Sequence, residues 1–175
     1  GKTLIATSLA LSKEGAHLLD ADVEEPNCSL FLDLEIKKVA TATVPIPDID
    51  TDICTLCGKC SDSCEYNALA NLPGQILLFD KICHGCGVCS FVCPENAITE
   101  VDKPLGYIYE GKNEHLTFHF GELIVGEELA TPIISRLMKT IDKNDKIVII
   151  DSPPGSACPM VESIHGADFV ILAGE

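Results

Sequence analysis

The stretches ICTLCGKCSDSCEYNALA (residues 53–70) and ICHGCGVCSFVCPENAIT (residues 82–99) are two copies of one pattern. Each spaces four cysteines as C-x2-C-x2-C-x3-C: Cys54, Cys57, Cys60 and Cys64, then Cys83, Cys86, Cys89 and Cys93. Eight of the chain's ten cysteines lie in these runs, which are offset by 29 residues. At the same offset Gly58 matches Gly87, and Asn67-Ala68-Leu69 matches Asn96-Ala97-Ile98. The copies part at one place: Cys93 is followed by Pro94, Cys64 by Glu65.

The spacing has a geometric reading. Three cysteines two residues apart let a tight loop wrap one corner of a cubane, while the fourth iron must be reached by a more distant residue. Such runs are those of bacterial two-cluster ferredoxins, in which the fourth cysteine of each run serves the other cluster. The pattern thus predicts two [4Fe–4S] clusters, one held by Cys54, Cys57, Cys60 and Cys93, the other by Cys83, Cys86, Cys89 and Cys64. Glycine at 58 and 87 suits a backbone passing close to a cluster. Zinc sites usually pair C-x2-C with a second pair 12 or more residues away, which does not call for four cysteines so close together, twice. Disulfides need an oxidising compartment, and no signal peptide is visible; a cytoplasmic location is expected.

With 175 residues, 46% of them apolar, the chain has material for one or two packed domains. No apolar run approaches the ~20 residues of a membrane span. The formal charge is −15, with a single arginine, Arg136, and scattered lysines. Nucleic-acid binding needs clustered Lys and Arg, so it is not expected; a basic redox partner suits the acidity. Starting at Gly1-Lys2-Thr3 and stopping at Ala173-Gly174-Glu175, the chain reads as a fragment of something longer.

Outside the cysteine region the pattern is that of an α/β protein. Residues 3–14 read as a helix stopped at Gly15, and Leu18-Leu19 as a strand running into Asp20-Ala21-Asp22. A turn at Pro26-Asn27 and a short helical piece or loop from Cys28 follow. Residues 41–49, with Pro45 and Pro47, read as an edge segment or linker. Residues 105–125 suggest a hairpin, in which His115 and His119 share a solvated face. Residues 128–141 place Ile133, Ile134, Leu137, Met138 and Ile141 at helical spacing. Residues 146–151 are a strand of the buried parallel kind ending in Asp151, and Phe169 to Leu172 are expected to form another, after a helix around 159–165. The fold class expected is an α/β, mostly parallel P-loop-type sheet with helices. A ferredoxin-like α+β insert over 50–103 interrupts it, leaving parts of the main domain at 1–49 and 104–175.

Gly1-Lys2-Thr3 ahead of a helix matches the end of a Walker A loop, G-x-x-x-x-G-K-[ST]. There Lys2 would neutralise the β/γ-phosphates of ATP, Thr3 would bind Mg²⁺, and the helix N-terminus would favour the anion. Asp151 would hold Mg²⁺ through water, and Pro153-Pro154-Gly155 would sense the γ-phosphate. Taken singly, Lys2 is an exposed terminal lysine and Asp151 a cap; their joint occurrence in this element order is what points to a nucleotide.

Those residues, with Leu19-Asp20-Ala21-Asp22-Val23-Glu24-Glu25-Pro26-Asn27 and Asp151-Ser152-Pro153-Pro154-Gly155, resemble the MinD/Mrp/nitrogenase-iron-protein class of P-loop ATPases. More narrowly, the chain looks like members of the MinD superfamily that carry an inserted two-cluster ferredoxin domain. The resemblance implies a homodimeric ATPase when full length, with a further Walker A lysine upstream of residue 1. It also implies that Asp20 and Asp22 approach Mg²⁺ and the attacking water. Cys158 is placed like one of the cysteines with which nitrogenase iron protein holds a cluster across its dimer axis, but no second ligand is evident. Packing is the reading for Cys158 and Cys28.

Three functions fit these residues. ATP turnover gates electron flow through the two clusters to a redox partner; or the chain assembles or inserts a metallocofactor into an acceptor protein; or it is a ferredoxin-type carrier on an inactive ATPase scaffold. One consequence is common to all. About 50 residues with few large apolar side chains bury too little surface to fold alone, so metal binding supplies the folding free energy. Stripping iron from the whole protein should therefore cost the insert its circular-dichroism signal; an unchanged spectrum would refute this dependence.

Overall fold

A computed structural model describes residues 1–174. In chain order the elements are α1 (Lys2–Leu11), β1 (Ala16–Asp20), a 3₁₀ turn (Cys28–Phe31), β2 (Ile36–Ile49), α2 (Lys59–Asp62), β3 (Leu69–Leu72) and β4 (Gln75–Leu78). A second 3₁₀ turn (Asp80–Ile82) leads to α3 (Val88–Val92), β5 (Ile98–Lys112), β6 (Leu116–Leu123), α4 (Thr131–Met138), β7 (Val148–Asp151) and α5 (Cys158–Ile164). The chain forms two compact units. One comprises Gly1–Ala42, Leu105–Val125 and Ala130 onward; the other comprises Thr43–Pro104 with Gly126–Leu129. The cysteine-rich unit thus begins at 43 rather than at 50 and takes in a short later segment.

A five-stranded sheet has the order β2-β5-β6-β1-β7, and residues 36–42 of β2 and 105–112 of β5 belong to the first unit. β1 pairs in parallel with β6 on one side and β7 on the other, while β5 and β6 form an antiparallel hairpin. All five residues of β1 are buried, as expected of a central strand covered on both faces. On one face Leu18, Leu116, Phe118 and Phe120 pack with Ala6 and Ala10 of α1. On the other, Ile133 of α4 seats where Gly106 and Gly121 leave room. A Cβ at Gly121 would lie 2.8 Å from Ile133 Cγ2 and 2.7 Å from Val23 Cγ1, so any side chain there would overpack the layer. The stripe expected over 128–141 is the shorter α4, with Ile133, Ile134 and Leu137 wholly buried.

Two expectations are corrected. Phe169–Leu172 form no strand, and Phe169 and Leu172 are more than nine-tenths exposed. An apolar run becomes a strand only where a neighbour takes its hydrogen bonds, and no described strand pairs with it. His119 is not solvated: it is 7% exposed and bonded to the buried His17.

That histidine pair belongs to a chain of polar contacts. His17 Nδ1 lies 2.7 Å from Asp145 Oδ2, His17 Nε2 lies 2.8 Å from His119 Nδ1, and His119 Nε2 lies 3.3 Å from Glu110 Oε2. A carboxylate only accepts, so His17 donates from Nδ1 to Asp145, and one of the two facing nitrogens, His17 Nε2 or His119 Nδ1, carries the proton of the contact between the rings. Burial first, then the neighbouring His17, holds the His119 pKa below the usual imidazole value, although Glu110 pulls the other way. Protonation of His119 therefore favours the unfolded chain, and stability should drop as pH falls below about 6.5. Asp145, held low chiefly by its bond from His17 against the effect of burial, adds a further loss only below about pH 3.9. Urea midpoints measured through the mildly acidic range should fall in the native chain and flatten in His119→Asn; parallel slopes would exclude His119 as the source.

Candidate functional site

The second unit is small, and cysteine sulfur forms much of its interior. Cys60, Leu69 and Ile98 are its buried cluster, with Ile49, Cys64, Ile76, Leu78, Cys89 and Cys93 packed around them. The β3–β4 hairpin is antiparallel, and α2 packs on α3 and on β3. Lys103 closes the unit from below the surface: its Nζ donates to Asp80 Oδ2 at 2.9 Å and Glu127 Oε2 at 2.7 Å. Burial opposes that charge, but the two carboxylates more than offset it and hold the Lys103 pKa above its ordinary value.

The two cysteine runs cross. Cys54, Cys57, Cys60 and Cys93 line one cavity. Cys64, Cys83, Cys86 and Cys89 line another. Each thus takes three cysteines from one run and the fourth from the other. Backbone geometry repeats with the sequence. Positive φ occurs at Leu56, Gly58 and Asn67 in the first copy, and at Gly85, Gly87 and Asn96 in the second, each pair 29 residues apart. In both copies the turn after the fourth cysteine aims an N–H at its sulfur: Ala68 N–H to Cys64 Sγ at 3.2 Å, and Ala97 N–H to Cys93 Sγ at 3.3 Å. Gly85 is required twice over, since a Cβ there would also stand 2.6 Å from Val44 Cγ2. Leu56 takes the same left-handed turn at φ 55°, at a cost of roughly 1–2 kcal/mol for a residue with a Cβ.

This donor set fits iron–sulfur clusters. Four cysteines line each cavity, and two sulfurs already accept backbone N–H groups of the kind that stabilise a thiolate. Burial pushes the Cys60 and Cys89 thiols up, so a cation must supply the energy of deprotonating them. Ser61 Oγ, on the helix between Cys60 and Cys64, is a buried hydroxyl with no hydrogen-bond partner among the described residues. Its repeat mate Ser90 donates to Gly87 O at 2.8 Å.

In the first unit, Asp20 and Asp151 stand side by side at the carboxyl ends of the parallel strands β1 and β7. Both are buried. Asp20 Oδ2 accepts N–H groups of Asn27 and Cys28 at 2.9 Å, and Oδ1 that of Asp22 at 3.1 Å. Burial, with the neighbouring Asp151 adding to it, pushes the Asp20 carboxyl up to about 6 despite those bonds. The Cys28 thiol, wholly buried, points at Asp151 Oδ2 at 3.5 Å and is itself pushed far up by burial. The three side chains offer ligand atoms within 4.8 Å of one another. Cys28 lies in the core cluster, as its packing reading expects; its approach to two distant acids leaves no mark in spacing. Burial also raises Asp22, and Lys2 pulls it back down. Lys2 opens α1, which packs on β1 and β7. Thr3 follows it, partly buried, whereas Gly155 lies exposed at φ 92°. Cys158, at the start of α5, is exposed.

Comparison with known proteins agrees with the cysteine geometry. Residues 46–69 and residues 79–99 each match a 4Fe–4S binding domain family. The chain is 38% identical over its whole length to the uncharacterized protein MJ0578 of Methanocaldococcus jannaschii, covering 63% of that protein. It is 28% identical over 90% of its length to the uncharacterized protein MJ0579 of the same organism, covering 57% of it. The chain therefore spans less than two thirds of the curated relatives it matches. It carries two ferredoxin-type 4Fe–4S binding domains. Among the described residues no helix is long and apolar enough to cross a membrane.

Crossed lining makes a sharp prediction. Replacing Cys93 by Ser should empty the Cys54 site, so iron and sulfide fall by half. The EPR spectrum of the reduced variant should then match that of Cys54→Ser rather than Cys83→Ser. A match to Cys83→Ser would mean that each run holds its own cluster.

Proposed function

We propose that the whole protein is an iron–sulfur ATPase in which ATP binding and hydrolysis gate electron transfer through two [4Fe–4S] clusters. Cys54, Cys57, Cys60 and Cys93 hold one cluster, and Cys83, Cys86, Cys89 and Cys64 the other. Each cluster, when bound, takes up and releases a single electron. The fold class belongs to the same proposal: a P-loop-type α/β sheet carrying a ferredoxin-like insert.

The observation that carries the nucleotide half is the pairing of Asp20 with Asp151. Two buried carboxylates abreast at the carboxyl ends of parallel strands repel each other and cost free energy in the folded chain. A Mg²⁺ ion held near them offsets that cost, and ligands of open α/β sheets bind at this end. The helix α1 brings Lys2 to the same end, close enough to Asp22 that its charge partly counters the burial holding the Asp22 pKa up. In this reading Gly1 and Lys2 meet the phosphates, Thr3 and Asp151 hold Mg²⁺, Asp22 orients the attacking water, and Gly155 lies in the loop that senses the γ-phosphate. The remaining phosphate contacts come from the partner protomer and from chain outside this sequence. The acidity of the chain suits a basic redox protein as electron acceptor.

The test uses the full-length protein. Lys2→Ala should weaken ATP binding at least tenfold, about 1.4 kcal/mol at 25 °C, while leaving iron and sulfide at two clusters per chain. Electron delivery to an acceptor should be fast with ATP and slow with a non-hydrolysable analogue. Equal delivery with both, or unchanged ATP affinity in the variant, would rule the coupling out.

A further inference from the structure

The two cluster cavities are copies of one repeat, so the places where they differ are informative. Their backbone donors do not differ: one N–H reaches the fourth cysteine of each run, at 3.2 and 3.3 Å. Their charges do. The cavity of Cys54, Cys57, Cys60 and Cys93 is lined by Lys59 and Glu95, whose formal charges cancel. The cavity of Cys83, Cys86, Cys89 and Cys64 is lined by Glu100 and by no Lys or Arg. Its remaining ionisable lining groups are His84 and Tyr66, stacked on each other with ring centroids 3.7 Å apart.

Repeat positions show how the difference arises. Lys59 corresponds to Val88, and Glu100 to Asn71. Beside Gly58 stands the amide Nδ2 of Asn71, 2.7 Å from where a Cβ would be. Beside Gly87 the same place is taken by Glu100 Oε1, at 3.0 Å. The carboxylate lies 3.2 Å from the Ser90 hydroxyl, whose single proton it shares with the nearer Gly87 carbonyl. An electron added next to a carboxylate costs more than one added next to an ammonium, and net charge is among the determinants of cluster potential.

The geometry points to two electronically unequal sites, with Lys59 and Glu100 setting the order. The Cys54 site is the higher-potential host and the Cys83 site the lower. An electron entering at the Cys83 site passes to the Cys54 site and rests there; one site is oxidised as the other is reduced, and no proton or further reagent takes part. Lys59 and Glu100 are positioning residues in this scheme and ligate nothing. Both are exposed, so solvent screening keeps the separation modest.

The inference rests on the two-cluster reading, and the experiment separates the two. Iron and sulfide of the anaerobically purified full chain are measured first; fewer than two clusters per chain would fail that reading, not this one. An EPR-monitored dithionite titration should then resolve two one-electron waves. Glu100→Gln should raise the lower wave alone. Lys59→Val should lower the upper wave alone. Each should change the reduced-to-oxidised ratio at fixed potential by up to roughly tenfold, about 59 mV. If Glu100→Gln does not load its clusters, Asn71→Glu supplies the opposite test: a carboxylate at the matching place should lower the upper wave. Coincident waves in the native chain, or a shift of the wrong wave in any loaded variant, would overturn the proposal.

Discussion

Convergence of two distant cysteine runs on shared cavities is the constraint on which the 43–104 unit depends. A unit this small has little apolar surface to bury, and its interior is Cys60, Cys64, Cys89 and Cys93 interleaved with a few aliphatic side chains. Sulfur does there what leucine and valine do in a larger core, and bound metal would keep the thiols deprotonated and linked. Stability and function thus draw on the same atoms. The Lys103 clamp and the β3–β4 hairpin add local order around them.

Strain is distributed by the same repeat. Left-handed turns fall at matching places in both copies, and glycine fills them in the second copy at 85 and 87. In the first, Leu56 replaces glycine at one of them and carries the cost. The asparagines at 67 and 96 tolerate the conformation because their side chains are short and polar. Each directs the following turn so that Ala68 or Ala97 reaches sulfur. The two copies share the backbone that surrounds each cavity and differ in the charged side chains around it.

The sheet unit shows a different economy. Its central strand carries polar groups that an apolar reading of Leu18-Leu19 does not disclose. His17 faces one side of the sheet with His119, Asp145 and Glu110, and Asp20 faces the other with Cys28 and Asp151. The hairpin of β5 and β6, the helix of 131–138 and the strand ending at Asp151 were legible because each has an apolar period or a terminal acid. The burial of His119 was not, because its partner lies 102 residues away. Phe169–Leu172 erred in the opposite direction: the composition of a strand was present, and a pairing neighbour was not.

Spacing alone settled the ligand types and their number, since a tight loop can present three thiols to one cubane only at short, regular intervals. It also singled out the acids at strand ends, because an apolar run stopped by Asp is a local feature. Tertiary structure decided which cysteines share a cavity, which histidines are hidden and which thiol meets which carboxylate. Those are distances between residues far apart in the chain, set by strand register and helix packing rather than by any neighbouring residue.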